Sequence, residues 1–310
     1  MKILLATDGS AHSEMAAKTL RALNPPSDAE IVVLHVMEPP YYVITPVVPP
    51  PYNAEWHRVQ LEMQVEAEEA ASQAIEKAEQ ILADVGAGTT SIVGEGHPAD
   101  EITSTAREIE ADLVVVGSKG LTGSPLFMLG SVSQKVIKYA PCSVLITKPL
   151  KEPNEPKATK VLLATDGSEN ANAAAKFLSS FRMQEGSEIV VLHVIQRKSS
   201  RIPRSGSAQQ ALEQIRQLMH ENAEKLIEDT KRNLSTEAKI TTTVKEGDPA
   251  EEIIETASEV DADMIVVGSK GLGAIKQFLL GSVSQRVSRY SSKSVMLVKM
   301  RRNSTTALEG

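Results

Sequence analysis

The feature that most constrains this chain is a single long-range repetition of its own sequence. Ile3-Leu4-Leu5-Ala6-Thr7-Asp8-Gly9-Ser10 returns as Val161-Leu162-Leu163-Ala164-Thr165-Asp166-Gly167-Ser168, 158 positions on. Ile31-Val32-Val33-Leu34-His35-Val36 returns as Ile189-Val190-Val191-Leu192-His193-Val194 at the same offset. From Gly96 onward the offset is 151, so the first copy carries seven more residues between Val36 and Gly96. Solenoid repeats are far shorter than this period, which therefore duplicates a whole domain. A chain of 310 residues has room for two such domains, each with its own core. They are expected at 1–149 and 160–300, joined by a Pro-, Lys- and Glu-rich linker at 150–159 and followed by a polar tail at 301–310.

Within a copy, strand and helix signals alternate. In the first, strands are expected at 2–7, 30–36, 89–94, 112–117 and 143–148, with helices at about 11–22, 54–84, 98–109 and 130–139 between them. The strands read as continuous aliphatic runs, the pattern of a parallel sheet buried on both faces. Strict alternation implies right-handed βαβ units wound about that sheet. Ser10 precedes the first helix, and Pro98 and Pro249 fall in the first turn of the third, as helix starts require. The fold class is α/β, two tandem doubly wound domains.

Bulk properties exclude several functions. Aromatic residues make up 3% of the chain, too few for a surface on which nucleic-acid bases stack. A net charge of −7 opposes non-specific binding to nucleic acid or anionic membranes. The apolar run at Ile3–Ala6 is too short for a signal peptide, and no stretch has the length to span a bilayer. One cysteine, Cys142, fits a reducing compartment, so the expected location is the cytoplasm. Its own expected role is that of a small buried hydrophobe.

Chemistry belongs to the strand ends. In an open parallel sheet, ligands bind beyond the carboxyl ends of the strands, where the winding reverses. The first strand ends in Thr7-Asp8-Gly9-Ser10, which lacks the G-x-G-x-x-G dinucleotide fingerprint. The fourth ends in Gly117-Ser118-Lys119-Gly120, with Gly130-Ser131-Val132-Ser133 opening the next helix. The second copy repeats this spacing, Gly-x2-Gly-x9-Gly-Ser, at Gly268, Gly271, Gly281 and Ser282. Glycines let backbone approach a phosphate closely, and a helix N-terminus offers unpaired N–H groups to it. The Walker pattern is absent, so Lys119 is not a P-loop lysine. Asp8 and Asp166 are negative and suit ribose or base groups better than phosphate.

These residues resemble the universal stress protein family in its ATP-binding branch. The resemblance rests on Asp8 after an aliphatic strand, on His35-Val36 closing the second strand and on the glycine motif, and it covers nearly the whole chain as two domains. It implies a five-stranded parallel sheet of order 3-2-1-4-5 in each half, with helices on both faces. It implies ATP with Mg²⁺ as ligand, with Asp8 and Val36 holding adenine and ribose. Gly117, Gly120, Gly130, Ser131 and Ser133 would hold the phosphates, with Val132 nearby. The matching positions of the second half are Asp166, Val194, Gly268, Gly271, Gly281, Ser282, Val283 and Ser284. The family also implies dimers through the last strand, here Ser143–Lys148 and Ser294–Lys299. A tandem chain can make that contact internally and so hide both edges, which leaves further homodimerisation open.

Other features carry plainer expectations. His35 and His193 are expected as satisfied core residues, since no Cys/His cluster of metal-binding type exists. The long second helix carries a solvated acidic face. The halves differ most at the Pro/Tyr-rich stretch 39–52 and the basic, serine-rich stretch 196–207, expected as surface segments, with partner binding the alternative for the first. The reading is an ATP-binding tandem protein acting as a nucleotide-dependent stress-response regulator or interaction module. Two alternatives stand beside it: a slow ATPase or nucleotidyl transferase, and a dimerising scaffold without nucleotide. The motifs place no base to activate water and no arginine to take transition-state charge.

Overall fold

Aliphatic runs closed by glycine, serine or threonine set the strands, and helices fill the gaps between them. The computed structural model describes residues 1–38, 54–121, 129–149, 159–196, 206–271 and 280–300. The Pro/Tyr-rich stretch 39–52, residues 197–205 of the basic stretch, the linker up to 158 and the tail lie outside the described residues. The first half runs β1 (Lys2–Ala6), α1 (Ala11–Leu23), β2 (Glu30–Met37), α2 (Ala54–Leu82), β3 (Gly88–Glu95), α3 (Pro98–Glu108), β4 (Leu113–Gly117), α4 (Ser131–Tyr139) and β5 (Ser143–Thr147). The second runs β6 (Lys160–Ala164), α5 (Glu169–Leu178), β7 (Glu188–Gln196), α6 (Gly206–Arg232), β8 (Lys239–Gly247), α7 (Pro249–Glu259), β9 (Met264–Gly268), α8 (Ser282–Tyr290) and β10 (Ser294–Val298).

Each half has the order 3-2-1-4-5, and the two join into one ten-stranded sheet, β3-β2-β1-β4-β5-β10-β9-β6-β7-β8. Neighbours within a half are parallel. The joint is antiparallel, with Ile146 opposite Val295, Leu145 opposite Met296 and Val144 opposite Leu297. Alternate strand residues feed opposite faces. Ile3 and Leu5 pack with residues of α1 and α2, while Leu4 packs with residues of α3 and α4. Both apolar layers run through the joint, because Leu145 and Met296 belong to one and Val144 and Leu297 to the other. Burial on both faces holds for the inner strands only. Of the outer strands, β3 is largely exposed and β8 mostly half-buried, as their Thr- and Ser-containing sequences allow.

A pseudo-twofold axis passes through the joint, and equivalent residues meet across it. The Asn24 side-chain amide donates to the Arg182 carbonyl at 2.8 Å, and the Arg182 N–H donates to the Asn24 carbonyl at 2.8 Å. Lys148 Nζ donates to the Ser288 carbonyl at 3.3 Å and to the Ser291 carbonyl, at the end of α8. Lys299 Nζ does the same at the end of α4, to the Ile137 carbonyl at 3.3 Å and the Ala140 carbonyl at 2.7 Å. An ammonium group there complements the negative end of the helix dipole. Each half thus caps a helix of the other.

Candidate functional site

The order 3-2-1-4-5 sets the ends of β1 and β4 side by side, where the chain winds away in both directions. The loop after β1 is held by its own aspartate. Asp8 Oδ1 accepts from the Ser10 N–H at 3.1 Å and from the Ser10 hydroxyl at 2.6 Å. Ser10 in turn caps α1 by accepting from the Ser13 N–H at 3.3 Å. Asp8 Oδ2 accepts from the Leu121 N–H at 3.0 Å, so the carboxylate ties the first loop to the turn after β4.

That tie explains two glycines of the motif. A Cβ on Gly120 would stand 2.6 Å from Asp8 Oδ2, and one on Gly271 would stand 2.5 Å from Asp166 Oδ2. A Cβ on Gly117 would lie 2.9 Å from the His12 backbone carbonyl, and one on Gly268 would lie 2.8 Å from that of Asn170. Sequence reasoning assigned these glycines to the approach of a phosphate. The protein's own loops already require them.

The start of α4 is pinned to the same turn. The Gly130 N–H donates to the Ser118 carbonyl at 2.7 Å, and the Ser133 hydroxyl donates to that carbonyl at 2.8 Å. In the second half, the Gly281 N–H reaches the Ser269 carbonyl at 2.8 Å and the Ser284 hydroxyl reaches the Gly268 carbonyl at 2.7 Å. The hydroxyl protons of Ser133 and Ser284 are therefore spent on the loop, which leaves their backbone N–H groups for a ligand. No side chain caps α4 or α8, whose N-cap residues are Gly130 and Gly281. By contrast, Ser168 caps α5 and Asp248 caps α7. An uncapped first turn keeps its N–H groups and its dipole for an anion, worth about 0.3–1 kcal/mol each and up to ~2 when partly buried.

These parts enclose one cavity per half, about 730 Å³ in the first and about 630 Å³ in the second. Asp8, Val36, Gly117, Gly120 and Gly130 line the first, together with Ser131, Val132 and Ser133. Asp166, Val194, Gly268, Gly271 and Gly281 line the second, with Ser282, Val283 and Ser284. Every residue singled out in the sequence borders its own half's cavity. The lining also includes groups that the motifs did not single out, notably Glu38, Ala67 and Ala70 in the first and Gln196, Met219 and Asn222 in the second. Helical spacing is the signal that could have found the α2 and α6 positions.

The surroundings of the two cradles differ in their histidines. His12 stands where the second half has Asn170, with its Nδ1 3.4 Å from the Ser118 hydroxyl. Burial lowers its pKa and Lys119 lowers it further, against an opposing pull from Asp8. His193 is satisfied, its Nδ1 meeting the Thr165 carbonyl at 2.8 Å. The buried Nδ1 of His35 completes no such bond among the described residues, although the nearby Thr7 carbonyl partly offsets the lowering of its pKa by burial. Among the described residues, no group of three or more His, Cys, Asp or Glu is placed to hold a metal ion. No helix there is long and apolar enough to cross a membrane.

A doubly wound α/β pair with a glycine-cleared, uncapped cradle in each half defines a class, and comparison with known proteins gives the family. The model of the universal stress protein family matches residues 1–148 and again 157–299, and the chain belongs to that family as a tandem member. A universal stress protein of Mycolicibacterium smegmatis is 30% identical over 304 residues, covering 96% of this chain and 97% of that protein. Universal stress protein MJ0531 of Methanocaldococcus jannaschii is 35% identical over 152 residues, covering 49% of this chain and 84% of that protein. Among solved structures, a universal stress protein from Archaeoglobus fulgidus superposes with a TM-score of 0.61 at 24% identity, covering 97% of this chain and 98% of that one. It supports the fold.

Proposed function

We propose that each half binds ATP with Mg²⁺ and that the protein acts as a nucleotide-dependent stress-response regulator or interaction module. The observation that carries this reading is the pairing, found twice, of an uncapped helix start with a turn cleared by glycine beside an aspartate. The N–H groups at Ser131, Val132 and Ser133, and at Ser282, Val283 and Ser284, take the phosphates together with the Gly117–Gly120 and Gly268–Gly271 turns. The positive ends of α4 and α8 favour that charge. Asp8 with Val36, and Asp166 with Val194, take the ribose and base. Mg²⁺ arrives on the phosphates, in keeping with a hard ion that prefers phosphate oxygens and water to an all-protein cage. The single buried Cys142 fits the cytoplasm as the place of work.

Calorimetric titration with ATP tests the reading. The unaltered chain takes up ATP, and Gly120→Val together with Gly271→Val weakens uptake by about tenfold or more per site, the order expected when a packed turn is overfilled. Unchanged affinity in that double variant contradicts the assignment. In the same mixtures with Mg²⁺ the nucleotide stays nearly all intact, whereas many turnovers lost in the glycine variant would favour an enzyme.

A further inference from the structure

The two cradles are tied to each other through the lysines of the joint. In each half the turn after the fourth strand is bonded to the end of the last strand. The Ser118 N–H donates to the Thr147 carbonyl at 2.9 Å, and the Ser269 N–H donates to the Val298 carbonyl at 2.8 Å. The next residues are Lys148 and Lys299. Their backbone N–H groups donate across the joint, to the Ser294 hydroxyl at 3.1 Å and to the Ser143 hydroxyl at 3.2 Å. Their side chains then leave their own half. Lys148 Nζ donates to the Ser288 and Ser291 carbonyls at the end of α8, and Lys299 Nζ donates to the Ile137 and Ala140 carbonyls at the end of α4. The opposite ends of these helices, at Ser282–Ser284 and Ser131–Ser133, are the uncapped starts that border the cavities.

Both helices have nine residues and so span only ~14 Å. At an effective dielectric constant of about 20, a unit charge at that distance still changes the binding of an anion several-fold. The helices carry cations of their own in the last turn, Lys138 and Arg289, but these are exposed and salt screens them. Lys148 is buried and Lys299 half-buried, so their charges act on the helix with less screening. Their bonds also fix each helix end, and with it the direction in which the first N–H groups point. We infer that Lys299 is a positioning residue of the first nucleotide site and Lys148 of the second, so that each site is completed by a lysine of the other half. The inference rests on the nucleotide reading above. It makes the joint part of both sites: a half without its partner lacks the charge behind its phosphates.

Calorimetry with ATP and Mg²⁺ tests the crossing. With Gly271→Val leaving the first site, Lys299→Met should weaken ATP about fivefold, and Lys148→Met should leave it within about twofold. With Gly120→Val leaving the second site, the two lysine exchanges should trade effects. The pH profile separates charge from packing. Burial lowers the Lys148 pKa to about 8, and no charged side chain among the described residues adds to the shift. Above that pH Lys148 loses its charge, whereas the triphosphate, ionised well below it, keeps its own. Second-site affinity should therefore fall about fivefold between about pH 7 and 9.5 and stay flat in Lys148→Met. If a glycine variant does not fold, photolabelling of the otherwise intact chain with 8-azido-ATP, mapped to either half by peptide mass, carries the test. Lys299→Met should then reduce label in the first half and Lys148→Met in the second. Equal losses in both halves, a loss in the lysine's own half, no loss, or a pH step that survives Lys148→Met overturns the inference alone. If the unaltered chain takes up no ATP, the nucleotide reading falls, and the inference with it.

Discussion

Gly120 and Asp8 constrain each other, and so do Gly271 and Asp166. Asp8 accepts from the Leu121 N–H just beyond its glycine, and in both pairs the turn leaves no room for a Cβ beside the carboxylate. Ser133 closes the arrangement from the other side through a buried bond to the Ser118 carbonyl. Ser133→Ala should cost about 1 kcal/mol of stability, measurable by chemical denaturation, because it removes one buried hydrogen bond. No change would mean that the bond does not hold the cradle. The motif residues were legible in the sequence because glycine and serine recur at one fixed spacing in both halves, each time straight after an aliphatic strand. Their division of labour was not. That Gly117 faces the backbone of His12, or that the Ser133 hydroxyl turns toward Ser118 instead of the cavity, depends on how two loops distant in sequence pack, and spacing carries no trace of it.

At the level of elements, α3 and α7 show how equivalent helices diverge. Asp248 caps α7 by accepting from the N–H groups of Ala250 at 3.0 Å and Glu251 at 3.1 Å, and it pairs with Arg286 of α8 at 2.8 Å. The matching N-cap of α3 is His97, with no side-chain cap. Burial raises the Asp248 pKa, but Arg286 and the two N–H groups more than offset it, and the net shift is downward. A lowered folded pKa gives stability that is present above the unfolded value, about 3.9, and is lost as pH falls through the folded one. Asp248→Ala should therefore cost about 1–2 kcal/mol at neutral pH and progressively less in acid, followed by thermal denaturation from pH 7 to 2. A deficit independent of pH would remove the carboxylate from the account. Strand and helix positions were legible because aliphatic runs and caps are local signals. The exposure of β3 and the half-burial of β8 were less so, since a strand's place at a sheet edge is decided by its neighbours. The cavity wall formed by α2 and α6 was hidden for the same reason: Ala67 and Ala70 look like ordinary helix formers until β2 is set beside them.

The whole molecule is a pseudo-dimer in one chain, and its joint contains the buried Lys148 and the half-buried Lys299. The 158- and 151-residue offsets made the duplication plain, but they said nothing of Lys148 and Lys299 reaching across it to carbonyls of the other half. Lys148 is 5% exposed, and burial pushes its pKa from 10.5 down to about 8. Burial lowers that of Lys299 as well, with Lys270 adding to the effect and Cys142 opposing it. Below pH 8 the folded chain holds a charged, largely desolvated ammonium at Lys148. Between about 8 and 10.5 the unfolded chain binds more protons there than the folded one, so the contribution of Lys148 to stability rises with pH across that window. Compared with Lys148→Met, the unaltered chain should gain up to about 3 kcal/mol between pH 8 and 10.5, read as the difference of two denaturation curves. A flat difference would mean that the carbonyls at the end of α8 offset the cost of burial at every pH.

The central claim is that this tandem chain carries two nucleotide sites built from the same parts. Native mass spectrometry of the intact chain with millimolar Mg²⁺ and ATP tests it most directly. The account predicts a species with two ATP molecules per chain, one with a single ATP for Gly120→Val or Gly271→Val alone, and none when both are changed. A chain that takes up no ATP under those conditions, or one that still takes up two in the double variant, would contradict it.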